Sequence, residues 1–215
     1  EFKTETRAGF ARERLGWWMP VRKASGTAAI DKGAWQACAS SKKKPESGKT
    51  AYGIKFSLDG TEVCLSGAII PEEGKPRIAV IEMRPTVTGI RWLSDWLNER
   101  YDKASCVVID GKNGVDVLID KISPVWRAKR SVVRAKTGDV IASASMLTDA
   151  VNTNELTWYE EQEILNESAT TTIRRTIGGG WGFGGENSLP IEAAALALWG
   201  ARTSKRDPNM EMRIG

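Results

Sequence analysis

An apolar run that ends on a carboxylate and breaks at once into glycine, Cys106 to Gly114 (CVVIDGKNG), most constrains what this chain can fold into. Small and β-branched residues without polar alternation predict a strand buried on both faces, and Gly111 and Gly114 predict a sharp turn just after Asp110. Asp110 then stands at the C-terminal end of a strand. In open sheets with parallel strands, such ends line the crevice where ligands and ions are held. Asp-Gly pairs are also frequent turn formers, so a surface Asp110 capping the helix that begins near Val115 is the alternative.

The flanking segments supply the rest of a mixed sheet. From Ala51, Tyr52, Ile54 and Phe56 alternate with Gly53, Lys55 and Ser57, the period of a strand with two chemically different faces. Leu58-Asp59-Gly60 turns the chain into TEVCLSGAII, and PEEGKP turns it into RIAVIEMRP, so three antiparallel strands open the domain. A helix is predicted from Thr88 to Lys103, with Ile90, Leu93, Trp96 or Leu97, and Tyr101 on one stripe. Strand, helix and strand make a crossover, so CVVID should lie parallel to a strand of the meander. A short helix from Val115 to Ile122, a strand from Ser131 to Arg134 and a helix from Asp139 to Val151 follow. LTWYEE reads as a short edge strand, Thr170 to Ile177 as an irregular or extended piece, and GGGWGFGGENS as a loop without regular structure. The last helix begins at Ser188 or Leu189 with Pro190 in its first turn, and IEAAALALWGA is apolar enough to be buried.

Ahead of the strands, Glu1 to Gly16 reads as a charged arm and Trp17 to Pro20 as an apolar knot docked on the main body. Asp31 to Ser40 reads as a short helix carrying Trp35, and ASSKKKPESGKT as a mobile basic loop. The expected division is therefore a connector with a basic loop over 1–50, a folded domain over 51–202 and a polar tail over 203–215. The first residue is not methionine, in line with a piece of a longer protein.

The sequence contains no histidine, which excludes histidine-dependent triads and histidine-ligated metals. Chemistry must rest on carboxylates, amines, hydroxyls or a hard cation. Three widely spaced cysteines read as reduced core residues rather than a disulfide framework or a zinc site. A formal net charge of +4 is compatible with a polyanionic partner. No apolar run approaches membrane-spanning length and no signal peptide is visible, so no membrane partner is expected.

Three strands, a helix, a strand, a helix, a strand and then helices is the order of the ribonuclease-H-like fold. There the first and fourth strands lie side by side at the sheet centre and the final helix packs beside them. Several stretches, in matching order, resemble the C-terminal nuclease domain of large terminase subunits from tailed bacteriophages: ERLGWW, YGIKFSLDG, VVIDGKNGVDVLIDKI, GGGWGFGGENSLPIEAAALALWGA, SKRDP and MRIG. The resemblance covers nearly the whole chain. It implies an α/β, ribonuclease-H-like endonuclease that uses Mg2+ or Mn2+ to cut concatemeric double-stranded viral DNA in the host bacterial cytoplasm. Its implied partners are DNA, a packaging ATPase domain, the small terminase subunit and the portal. The sequence has no GxxxxGK[ST] phosphate loop, so the motor half is expected to lie outside it.

Carried over position by position, the resemblance makes Asp110 the acid at the end of the fourth strand. The first-strand position that many relatives fill with aspartate is Lys55, and the commonly aspartate position before the last helix is Asn187, adjoined by Glu186. The implied metal set is Asp110, Asn187 and Glu186, with Lys55 added to the catalytic group. Two of three expected acids are missing or displaced, which implies impaired two-metal chemistry. Lys55 should face the crevice, opposite Ile54 and Phe56, where its ammonium is drawn to Asp110 and takes up space that a divalent ion uses. Asp59 reads as a turn former, Asp116 and Asp120 as exposed helix residues, and Glu192 as a first-turn carboxylate favoured by the helix dipole. Glu82, in the strand IAVIEMRP, is a further candidate if its side chain faces the crevice.

Lys112, Arg127, Lys129, Arg130, Arg134, Lys136, Arg174 and Arg175 flank the crevice in sequence and are the predicted contacts to DNA phosphates. Nothing forms a base-reading helix, so binding should be largely independent of sequence. Two alternatives stand beside the endonuclease: a ribonuclease-H-like junction resolvase, and a catalytically impaired DNA-binding or scaffolding module.

Overall fold

The computed structural model describes residues 26–42, 45, 47–128 and 130–208. Its middle layer is a seven-stranded sheet with the spatial order β1-β7-β4-β3-β2-β5-β6. The strands are β1 (Ala39–Ser40), β2 (Lys49–Phe56), β3 (Glu62–Ile70), β4 (Arg77–Pro85), β5 (Cys106–Asp110), β6 (Val132–Arg134) and β7 (Thr157–Tyr159). β2, β3 and β4 form the antiparallel meander, β5 runs parallel to β2, and β6 runs parallel to β5. This is the mixed sheet of a ribonuclease-H-like fold, with the apolar CVVID strand beside the first long strand as expected.

Alternation along β2 decides what covers each face. Tyr52, Ile54 and Phe56 point to one side, where Leu93 and Leu97 of α2 (Arg91–Asn98) and Val115, Leu118 and Ile122 of α3 (Val115–Ile122) join them. The other side is covered by α1 (Lys32–Ala37), α4 (Thr137–Asn152), α5 (Glu163–Thr171) and α6 (Leu189–Thr203). α6 lies hard against the centre of the sheet. A Cβ added at Gly53 would stand 2.1 Å from the Ala193 carbonyl oxygen and 2.5 Å from the Ala197 amide nitrogen. Only a glycine in β2 and a run of alanines in α6 permit that approach, which sets the start of the helix beside the ends of β2 and β5.

Several elements differ from the sequence reading. The helix expected over Thr88 to Lys103 is reduced to α2, with 3-10 turns at Thr86–Thr88 and Tyr101–Lys103. β7 is not an edge strand: it is flanked by β4 and β1. The cause is local packing, because Trp35 of α1 stacks on Trp158 of β7 with ring centroids 4.9 Å apart and carries β1 in alongside. The glycine-rich segment is not a structureless loop. Gly180–Gly184 form a strand, β9, paired antiparallel with β8 (Ile173–Ile177). Gly178 and Gly179, at φ 50° and 83°, make the turn, and Phe183 is buried against the main core, so pairing and one aromatic anchor override the low strand propensity of glycine. α5 carries a weak sequence signal, with only Leu165, Ser168 and Ala169 buried. The arm, the Trp17 to Pro20 knot, the ERLGWW and MRIG stretches and Lys129 lie outside the described residues. Among the described residues, no helix is long and apolar enough to cross a membrane.

Candidate active site

Parallel pairing of β2 and β5 places Lys55 directly beside Asp110. Neighbouring residues in a ladder share a face, so both side chains leave the sheet toward α6. Gly111, at φ 144°, turns the chain away immediately afterwards, and a Cβ there would come within 2.7 Å of the Phe56 Cβ. Asp110 does not cap α3, whose N-cap is Gly114 without a side-chain hydrogen bond. Its carboxylate instead accepts a hydrogen bond from the Lys55 ammonium. Cys64, opposite Lys55 on β3, forms an apolar wall with Leu189 and Ala193, and Lys55 is only 6% exposed.

The third corner is Glu192 in the first turn of α6. It is 8% exposed, and its Oε2 lies 2.9 Å from Lys55 Nζ. Oε1 accepts a hydrogen bond of 2.7 Å from Ser188 Oγ. The helix start is itself pinned: the buried Ser168 hydroxyl donates to the Asn187 carbonyl at 2.5 Å and accepts from the Ile191 amide at 3.0 Å. Asn187 and Glu186 are exposed and line the wider cavity, with the Asn187 amide donating to Glu167 Oε1 at 3.1 Å. The carboxylate in contact with Lys55 beside Asp110 is thus Glu192, which the sequence reading assigned to the helix dipole. Its i, i+4 relation to Ser188 in an otherwise apolar helix was the available signal.

Burial alone would lower the pKa of Lys55, but Glu192 and Asp110 together outweigh it and hold the pKa above its ordinary value. The ammonium therefore stays charged between two carboxylates. Such a donor set suits one hard cation: Asp110 and Glu192 offer carboxylate oxygens to a common point, and Glu192 Oε2 is buried without an aligned hydrogen bond. Only these two carboxylates contact the Lys55 ammonium, and among the described residues no group of three or more Asp, Glu, Cys or His side chains is gathered for a metal. Lys55 competes for the same oxygens.

Lys55 and Glu192 line a cavity of about 710 Å³. Its walls carry Asp59, Glu62, Glu167, Glu186 and Glu192 against the cations Lys55 and Arg175. Asp59 has the turn role expected of it, since Oδ1 accepts from Ser57 Oγ at 2.7 Å and from the Thr61 amide and hydroxyl. Those bonds hold its carboxyl below the usual range. Glu82 pairs with Arg84, and Asp120 is exposed.

Of the predicted DNA contacts that are described, only Arg175 lines this cavity. Lys112 is exposed in the turn after β5, and Arg127 donates to the Pro124 carbonyl. Arg174 lies over the Trp181 ring at 4.6 Å. Arg130, Arg134 and Lys136 line a second groove, where Arg134 is also paired with Asp116.

No protein-family model matches the sequence, and no curated protein matches it. Solved structures do match. The large terminase of a thermophilic bacteriophage aligns with 90% of this chain at a TM-score of 0.57 and 9% identity, and the HK97 bacteriophage large terminase with 80% at 0.51 and 11%. This chain spans about half of each, 51% and 43% of their lengths. The large terminase nuclease of thermophilic phage G20c with bound magnesium is covered over 97% of its length, with 81% of this chain aligned at a TM-score of 0.54 and 13% identity. From the sheet order to the placement of the final helix, this chain carries the ribonuclease-H-like fold of the large-terminase nucleases.

Proposed function

We propose that this chain is a metal-dependent endonuclease domain acting on double-stranded DNA, of the kind that cuts concatemeric viral DNA during packaging in the host cytoplasm. In that setting a packaging ATPase domain, a small terminase subunit and a portal are its partners. The observation that carries the proposal is the convergence of Asp110 and Glu192, from a strand end and a helix start, on one buried point in this fold. The two carboxylates would hold a single Mg2+ or Mn2+. When bound, the ion supplies the concentrated positive charge that stabilises a phosphodiester under attack by water.

The remaining roles belong to the protein. Ser188 orients Glu192 by holding its other oxygen. Cys64, Leu189 and Ala193 keep water from one side of the site. Arg175 offers a guanidinium to phosphate at the cavity wall. Lys55 keeps the carboxylates together and opposes loading of the ion, so cleavage is slow and needs millimolar metal. The same lysine favours a second reading, a domain that binds DNA without cutting it.

A plasmid-nicking assay with Mg2+ and Mn2+ separates the readings. Slow, Mn2+-stimulated nicking that is lost in both Asp110→Ala and Glu192→Gln supports the endonuclease. Duplex binding without nicking selects the binding module, and preferential cleavage of branched DNA selects the junction resolvase.

A further inference from the structure

We infer that a basic groove on the outer edge of the sheet, separate from the Lys55 cavity, binds the phosphodiester backbone of nucleic acid. The inference rests on the DNA-acting reading above and assigns the surface that first captures the polyanion. β6 is the last strand of the sheet. The Ser131 carbonyl accepts from the Val107 amide at 2.8 Å and the Ala135 amide donates to the Ile109 carbonyl at 2.9 Å. Alternate residues of a parallel ladder pair, so the backbone groups of Val132 and Arg134 face the open edge.

Along that edge runs a groove of about 800 Å³, floored by Val133 and Trp199. It is lined by five cations, Arg130, Arg134, Lys136, Lys205 and Arg206, and by a single carboxylate, Asp139. Asp139 is already engaged, accepting the Lys136 amide at 2.8 Å. Arg206 stacks over Tyr101 at 4.1 Å and donates through Nη2 to the Tyr101 carbonyl, while its Nη1 is buried with no hydrogen-bond partner among the described residues. The positive end of α4, a helix of 16 residues, opens beside the groove at Lys136.

The charge contrast between the two concavities determines which of them captures phosphate first. The Lys55 cavity carries five carboxylates against two cations, and the edge groove reverses that balance. A phosphate chain is captured first by the second, and enters the first where a bound cation and Arg175 offset the carboxylates. Arg130 and Lys136 bracket β6 and lie at most about 20 Å apart along extended chain, a length over which one strand of a duplex presents about six phosphates. A row of cations over that length fits a nucleic-acid backbone.

The test is fluorescence anisotropy of a labelled duplex at 50 to 200 mM salt. It compares the unaltered chain with the triple variant Arg130→Gln, Lys136→Gln, Lys205→Gln, whose sites are all exposed. Loss of three phosphate contacts should lower the salt slope by about 2.7, so that the unaltered chain loses about 40-fold more affinity than the variant across that range. The charge-conserving variant Arg130→Lys, Lys136→Arg, Lys205→Arg should bind like the unaltered chain. Equal affinity and slope in the Gln variant, with its circular dichroism unchanged, would overturn the groove, as would competition by polyglutamate as strong as by DNA. Nicking is read in parallel: groove-dependent binding without nicking overturns the endonuclease alone, whereas nicking with groove-independent binding overturns the groove alone.

Discussion

Replacing Lys55 with alanine leaves Asp110 and Glu192 facing each other without the ammonium that both contact. Removing one partner of a buried ion pair costs about 3–5 kcal/mol. Asp110 retains 18% side-chain exposure, which favours the lower end, about 3 kcal/mol. In a domain of this size that corresponds to a fall in Tm of about 6–12 °C. The sign with pH follows from the raised pKa of Lys55. Its contribution is fully present below the ordinary value of 10.5 and is lost only as pH rises through the higher folded value. The gap between the two proteins should therefore stay constant from about pH 7 to 10 and close above that.

Manganese should partly replace the missing ammonium. With a dissociation constant of about 1 mM, 10 mM Mn2+ returns about 1.4 kcal/mol, or roughly 3–6 °C, to Lys55→Ala. The unaltered chain should respond less, because its lysine holds the same oxygens. Thermal unfolding followed by circular dichroism, with and without Mn2+ and across pH, reads all of this. A variant that melts within about 2 °C of the unaltered chain and ignores Mn2+ would refute the reasoning.

Two further outcomes are expected. Gly53→Ala forces α6 off the sheet, because the added Cβ meets backbone atoms at 2.1 and 2.5 Å that no rotamer relieves. It should cost about 3 kcal/mol in urea unfolding and weaken Mn2+ binding as Glu192 moves; a change under about 0.5 kcal/mol would show that the helix is free to shift. Cys38, Cys64 and Cys106 are buried free thiols, and burial pushes Cys64 up to about 12. A disulfide reagent at about pH 8 should label none of them until urea is added, and rapid labelling of the native chain would contradict the packing.

The position of Asp110 was legible because it depends on local pattern: an apolar run, a carboxylate, a glycine. The facing of Lys55 was legible for the same reason, since period two in β2 fixes its side once Ile54 and Phe56 are assigned to the core. Glu192 was not. A carboxylate in the first turn of a helix has a sufficient local explanation in the helix dipole, and its burial follows from contacts that join α6 to β2 through Gly53, far away in sequence. The β8-β9 hairpin was hidden because glycine lowers strand propensity, while its ladder partners and the buried Phe183 act only once the chain has folded back. The sequence leaves β7 looking like an edge because β1, two residues long, gives almost no signal.

The central claim is that Asp110 and Glu192 form a carboxylate pair for one divalent ion and that Lys55 occupies the same point. A crystal structure of the unaltered chain soaked in increasing Mn2+, read by anomalous scattering, tests it most directly. The account predicts a single ion on Asp110 and Glu192 that fills only at millimolar concentration, with the Lys55 side chain displaced from both. Two well-occupied ions, or an ion held by Glu186 and Asn187 while Lys55 remains paired with Asp110, would contradict it.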